Sequence, residues 1–147
     1  MIQRIQTVYL LISALLIGLL FLFPFAETVK DGLVYLFNFH GIVQNGIIKE
    51  NGVFISVLIG LILVLQGFAI GSYKNRTRQI RLIVFSIVLM LGFLGMVYFF
   101  TYYLFNGAQI SFKISVLFPV VAIILDYLAI QGIRKDEALI RSIDRIR

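Results

Sequence analysis

Residues 114–133 read ISVLFPVVAIILDYLAIQGI, and this stretch contains a single charged residue, Asp126. A helix of about 20 residues is about 30 Å long, which matches the thickness of the hydrocarbon core of a bilayer. Three further stretches are comparably apolar, at residues 5–25, 53–73 and 82–105. The sequence therefore predicts four membrane-spanning helices.

The composition of the whole chain supports a membrane protein. Of its 147 residues, 61% are hydrophobic and 14% are charged, and the mean hydropathy is +1.01. A water-soluble domain has roughly 25% charged residues, so this chain has too few charges to cover a globular surface. It has one histidine and no cysteine, which leaves few groups for catalysis or metal binding. We expect one integral membrane domain over residues 1–147, with no enzyme activity, no cofactor and no metal.

The basic residues predict the orientation of the helices. Of the 13 Lys and Arg residues, only Lys30, Lys49 and Lys113 lie in the connections at one end of the predicted spans, and the others flank the opposite ends. Because Lys and Arg are enriched in cytoplasmic segments, we expect both termini in the cytoplasm. The net charge of +6 is then a consequence of topology, and no nucleic-acid partner is expected.

The predicted outer loop, residues 26–52, contains a hairpin signal. Apolar runs flank Asn45-Gly46, a dipeptide typical of tight hairpin turns. Residues 109–113 alternate in polarity and offer a further strand. We therefore expect an all-α membrane protein, a four-helix bundle that carries only a small extracytoplasmic β-hairpin.

Asp126 is the residue that most needs an explanation. A carboxylate inside a span costs roughly 2.5–3.5 kcal/mol on insertion scales and is a functional hypothesis by default. Gln66, Ser13 and Ser86 lie at similar distances from the cytoplasmic ends of the other three spans, which predicts one polar layer in the bundle. Two interpretations stay open: the layer joins the helices through hydrogen bonds, or Asp126 binds a proton or a cation in a transport cycle.

Small residues at helical spacing indicate close helix packing. The second span has a stripe of them, and the first span has a small-xxx-small pair. Either the chain's own bundle or a second protein is expected to pack on these faces. The residues are Ser56, Gly60, Gly67 and Gly71 in the second span, and Ala14 and Gly18 in the first.

The C-terminal tail, residues 134–147, is amphipathic. Its apolar residues recur at helical spacing, and polar residues occupy the other face. We expect a cytoplasmic helix that lies on the inner leaflet, extends the fourth span or docks on a partner. The residues expected to make these contacts are Leu139, Ile143, Ile146, Arg141 and Arg145.

Sequence segments at both ends of the chain are similar to those of a known protein family. The first ten residues, MIQRIQTVYL, and the segments RKDE at 134–137 and RSIDRIR at 141–147 resemble an uncharacterised domain-of-unknown-function family. Its members are short four-span inner-membrane proteins of Gram-negative bacteria. The resemblance implies four spans and a bacterial inner membrane, and it implies no activity and no catalytic residue.

These features favour a non-enzymatic accessory or structural subunit in the lipid bilayer. It is expected to bind a membrane-protein partner, or a second copy in a homo-oligomer, through its helix stripes and tail. The alternative is a small proton- or ion-coupled transporter or channel that uses Asp126 with Gln66.

Overall fold

The computed structural model describes residues 3–30, 32–104 and 108–144, and only the backbone of residues 3, 4, 104 and 139–144. Four α-helices and five β-strands are found in these ranges. The helices are α1 (Gln3–Leu19), α2 (Val53–Gly71), α3 (Arg76–Leu104) and α4 (Leu117–Asp144). The strands are β1 (Ala26–Lys30), β2 (Leu33–Asn38), β3 (Gly41–Gln44), β4 (Ile47–Asn51) and β5 (Gln109–Phe112).

Three of the described helical segments are long and apolar enough to span a membrane: Val53–Gly71, Arg76–Tyr103 and Ile114–Ala138. The remaining helix, α1, is apolar but has 17 residues, a length of about 25 Å. It ends at Leu19, before the end of the first predicted span at residue 25. The apolar run continues past the helix because Phe25 packs in the sheet, where its amide donates to the carbonyl of Phe37 (2.7 Å).

The strands form one antiparallel sheet in the order β4-β3-β2-β1-β5. The prediction of an all-α fold with a small hairpin is therefore wrong, since the chain combines four helices with a five-stranded sheet. β1, with the sequence AETVK, was missed because its two charged residues conceal the apolar alternation of a strand. Glu27 of β1 forms a salt bridge with Lys113, which follows β5.

Two features of the sheet agree with the sequence patterns. Asn45 and Gly46, with φ values of 50° and 80°, connect β3 to β4 in the left-handed conformations that a tight hairpin turn requires. The alternating residues near position 110 form β5, which pairs with β1. The hairpin signal thus predicted the turn between β3 and β4 correctly, but it did not predict the five-stranded sheet to which they belong.

The buried apolar side chains form two clusters. The sheet-end cluster contains Ile17, Leu20, Phe25, Ala26, Phe37, Ile42, Ile55, Ile59, Ile62, Met90, Phe93, Val97 and Ala122. The tail-end cluster contains Leu10, Ala69, Ile83, Ala129, Ile130 and Ile133. In the first cluster the Phe25 ring packs edge-on against the rings of Phe37 and Phe93, with centroids 5.6 and 5.4 Å away. The sheet therefore packs on one end of the helix bundle.

Gly41 is a position in the sheet where a side chain has no room. Its φ is +115°, and a Cβ atom there would overlap the carbonyl oxygen of Glu50 and lie 2.5 Å from the amide nitrogen of Gly52. We expect Gly41→Ala to lower the Tm measured by circular dichroism in detergent, because strained backbone alone costs about 1–3 kcal/mol. Gly60→Ala is the control, since a Cβ at Gly60 meets no atom within 4 Å. Equal Tm values for both variants would contradict the sheet geometry.

Candidate functional site

The candidate site is a polar layer between the two apolar clusters. On α4, Asp126 lies one turn from Ala122 in the sheet-end cluster and one turn from Ala129 in the tail-end cluster. Each of the other helices has a polar residue in the equivalent position. The four residues are Ser13, Gln66, Ser86 and Asp126, and none is more than 1% exposed.

Gln66 links three of the helices through this layer. Its Nε2 atom donates to Ser13 Oγ (2.7 Å) and to Asp126 Oδ2 (3.4 Å). The Ser13 hydroxyl donates in turn to the carbonyl oxygen of Ala122 (3.3 Å). The structure therefore brings together Ser13, Gln66 and Asp126, which were chosen from sequence by their distance from the charged helix flanks.

Ser86 is the fourth member of the layer, and its role differs. It is fully buried on α3, one turn from Ile83 of the tail-end cluster and one turn from Met90 of the sheet-end cluster. Its Oγ atom has no hydrogen-bond partner among the described residues, and the same holds for Gln66 Oε1 and Asp126 Oδ1. Buried polar atoms are nearly always hydrogen-bonded, so the layer has unused bonding capacity.

The glycines of the small-residue patterns do not pack closely against another described helix. A Cβ atom built at any of four glycines, three from the stripe on α2 and one from the pair on α1, meets no atom within 4 Å outside its own helix turn. These glycines are Gly18, Gly60, Gly67 and Gly71. Ser56 has a different role, because its hydroxyl donates to the carbonyl of Phe39 (2.6 Å) and ties α2 to the sheet. Ala14 is half-buried on α1.

A second buried polar contact joins α1 to α4, and it was not predicted from the sequence. Gln6 Nε2 donates to Asp136 Oδ2 (2.8 Å). Gly132, one turn before Asp136, gives Gln6 its space, since a Cβ at Gly132 would lie 2.9 Å from Gln6 Cγ. The available signal was this spacing of glycine and aspartate on one helix face, which the division into a span and a tail concealed.

The predicted tail continues α4, which runs without interruption to Asp144. The expectation of a helix therefore holds for the backbone up to that residue. The predicted contacts of the tail lie outside the described residues, because they concern the side chains of Leu139, Arg141 and Ile143 and all atoms of Arg145 and Ile146.

The chain matches the model of a domain of unknown function, DUF4293, over residues 2–146. The chain belongs to this family. No curated protein and no solved structure matches it. Membership of the DUF4293 family does not indicate an activity, so the function of this DUF4293 protein has to be inferred from the structure of the polar layer and of the sheet. Among its described residues, no group of three or more His, Asp or Glu side chains is placed to hold a metal ion.

The Gln66 hydrogen bond to Ser13 predicts energetic coupling between the two residues. In a double-mutant cycle of Ser13→Ala and Gln66→Leu, we expect a coupling of about 0.6 kcal/mol and at most about 1.7 kcal/mol, the average and the maximum for interhelical hydrogen bonds in membranes. The measurement is the free energy of unfolding in mixed micelles. The control cycle pairs Gln66→Leu with Ser56→Ala, which bonds elsewhere and should be additive. Additivity in both cycles would show that the bond does not join the helices.

Proposed function

We propose that the protein is a non-enzymatic accessory or structural subunit that binds another membrane protein in a bacterial inner membrane. The observation that supports this best is an apolar row on the face of the sheet that points away from the helix bundle. The row consists of Val29, Val34, Leu36, Val43 and Ile48, and the opposite face of the sheet contributes Phe37 and Ile42 to the core.

The pairing of the strands makes this row continuous. Val29 lies opposite Val34, Leu36 lies opposite Val43, and Val43 lies opposite Ile48. All except the half-buried Val43 are exposed, and Ile48 reaches 54%. An apolar patch on a surface that faces water is a typical interaction site.

The edge strand β4 extends this surface. All five of its residues are exposed, and among the described strands it pairs only with β3. An edge strand with free backbone groups is able to accept a strand from a partner. The row and the edge together suit an extracytoplasmic segment of another membrane protein.

The proposal includes four spans with both termini in the cytoplasm. α1 is shorter than the other helices, but its Ser13 bonds to Gln66, which lies inside the candidate span Val53–Gly71. This contact supports the same depth for α1 and α2. The three lysines at the sheet end, and the many Lys and Arg residues at the other end, support a sheet outside and a cytoplasmic tail end.

The second candidate function is a small proton- or ion-coupled transporter or channel that uses Asp126 with Gln66. The unpartnered carboxylate oxygen of Asp126 favours it. A transport path needs polar residues that follow one another along the bundle. The buried Gln6, Gln79 and Asp136 are separated from the layer by the apolar tail-end cluster. This arrangement makes transport the weaker proposal.

The test is purification of the tagged protein from its native membrane in a mild detergent. We expect a defined set of membrane proteins to copurify with the native chain and to fall at least about tenfold with Ile48→Lys, because a charge in the apolar row removes a contact of about 1.4 kcal/mol or more. Ser111→Lys is the matched control, since Ser111 is exposed on β5 and shares this sheet face outside the row.

Two results would contradict the accessory function. In one, the protein purifies without companions in all three versions. In the other, the same proteins copurify equally with the native chain and with Ile48→Lys, so that the apolar row has no part in the association.

A further inference from the structure

Three unpartnered oxygen atoms lie in the polar layer, one on each of three helices. They are Gln66 Oε1 of α2, Ser86 Oγ of α3 and Asp126 Oδ1 of α4. Each residue is at most 1% exposed, so bulk water does not solvate these atoms. A buried carboxylate oxygen, an amide oxygen and a hydroxyl oxygen form a donor set without nitrogen or sulfur, the kind that hard cations prefer.

The carboxamide of Gln66 and the carboxylate of Asp126 are neighbours in the layer. Gln66 Nε2 lies 3.4 Å from Asp126 Oδ2, and each of these atoms shares a carbon with the unpartnered oxygen of its own group. The Gln66 amide is oriented by its second bond, to Ser13, which leaves the carbonyl oxygen as its free atom. Ser86 lies at the same level on α3, between its neighbours in the two clusters.

The charge of the layer is unbalanced. Asp126 contributes one negative charge when ionised, and no Lys, Arg or His among the described residues forms an ion pair with it. A buried charge without a partner is strongly unfavourable. One positive charge, from a proton or a cation, balances it. A monovalent ion supplies it, whereas a divalent ion would leave an excess positive charge between two apolar clusters.

We propose that this layer is a binding site for one monovalent metal cation of the sodium type, held by oxygens of Gln66, Ser86 and Asp126. The cation neutralises the carboxylate and uses the bonding capacity that the helices leave free. It joins α3 to the layer, which the hydrogen bonds between α1, α2 and α4 do not do. The site lies inside the helix bundle, and ion binding there does not depend on a partner bound at the sheet.

The experiment measures thermal stability in detergent at fixed pH and ionic strength while sodium chloride replaces N-methyl-D-glucamine chloride. A ligand that binds only the folded state raises Tm with its concentration. We expect a rise of roughly 5 °C or more at saturation, together with one radioactive sodium ion bound per chain.

Three variants decide the assignment to these residues. Asp126→Asn keeps the shape of the side chain and should abolish both the sodium-dependent rise and the bound ion. Ser86→Ala removes one oxygen and should raise the sodium concentration at half-maximal effect by roughly tenfold. Ser56→Ala, whose hydroxyl bonds to Phe39 near the sheet, should respond to sodium like the native chain.

The proposal is overturned if the Tm of the native chain is independent of sodium and no sodium binds, including the case in which stability changes with pH alone and the layer holds a proton. It is overturned as well if Asp126→Asn retains the sodium response, because the ion would then bind elsewhere.

Discussion

Asp126 carries a carboxylate in the middle of an apolar helix, and the arrangement of the bundle follows from the need to satisfy it. Gln66 bonds to this carboxylate and to Ser13, which sets three helices at one level. Helices in lipid gain little from apolar contact alone. Such a layer therefore fixes which residues of neighbouring helices face each other, and the apolar clusters pack above and below it.

At one end of the bundle, the sheet provides hydrogen-bond partners for the backbone of the connections between helices. The long connection after α1 and the short one after α3 contain backbone N–H and C=O groups that need hydrogen-bond partners. Strand pairing supplies these partners, because β1 pairs with β2 in the same connection and with β5 in the other. Phe25 and Phe37 then close the end of the helix bundle through Phe93. The same sheet presents an apolar row to the other side, where a second protein has access to it.

The sequence predicted the elements that depend on local pattern and missed those that depend on pairing over distance. Spacing from the charged flanks was enough to choose Ser13, Gln66 and Asp126, because the flanks mark the same membrane boundary on each helix. A strand outside the bilayer has no such boundary marker. β1 also contains two charged residues, so it is recognised as a strand only when its partner strands are known. The contact of Gln6 with Asp136 was missed for the same reason, since it joins the two ends of the chain.

The polar layer is expected to be closed to water from both sides, since each of its side chains is at most 1% exposed. The chain contains no cysteine, so a single introduced cysteine reports on one position. The most direct measurement is the reaction of Ser86→Cys with a charged methanethiosulfonate reagent in permeabilised membranes, with Ile48→Cys as the exposed reference. We predict that Ile48→Cys is labelled and that Ser86→Cys is labelled only after denaturation. Rapid labelling of Ser86→Cys in the native protein would contradict the account and indicate a water-filled path to Asp126.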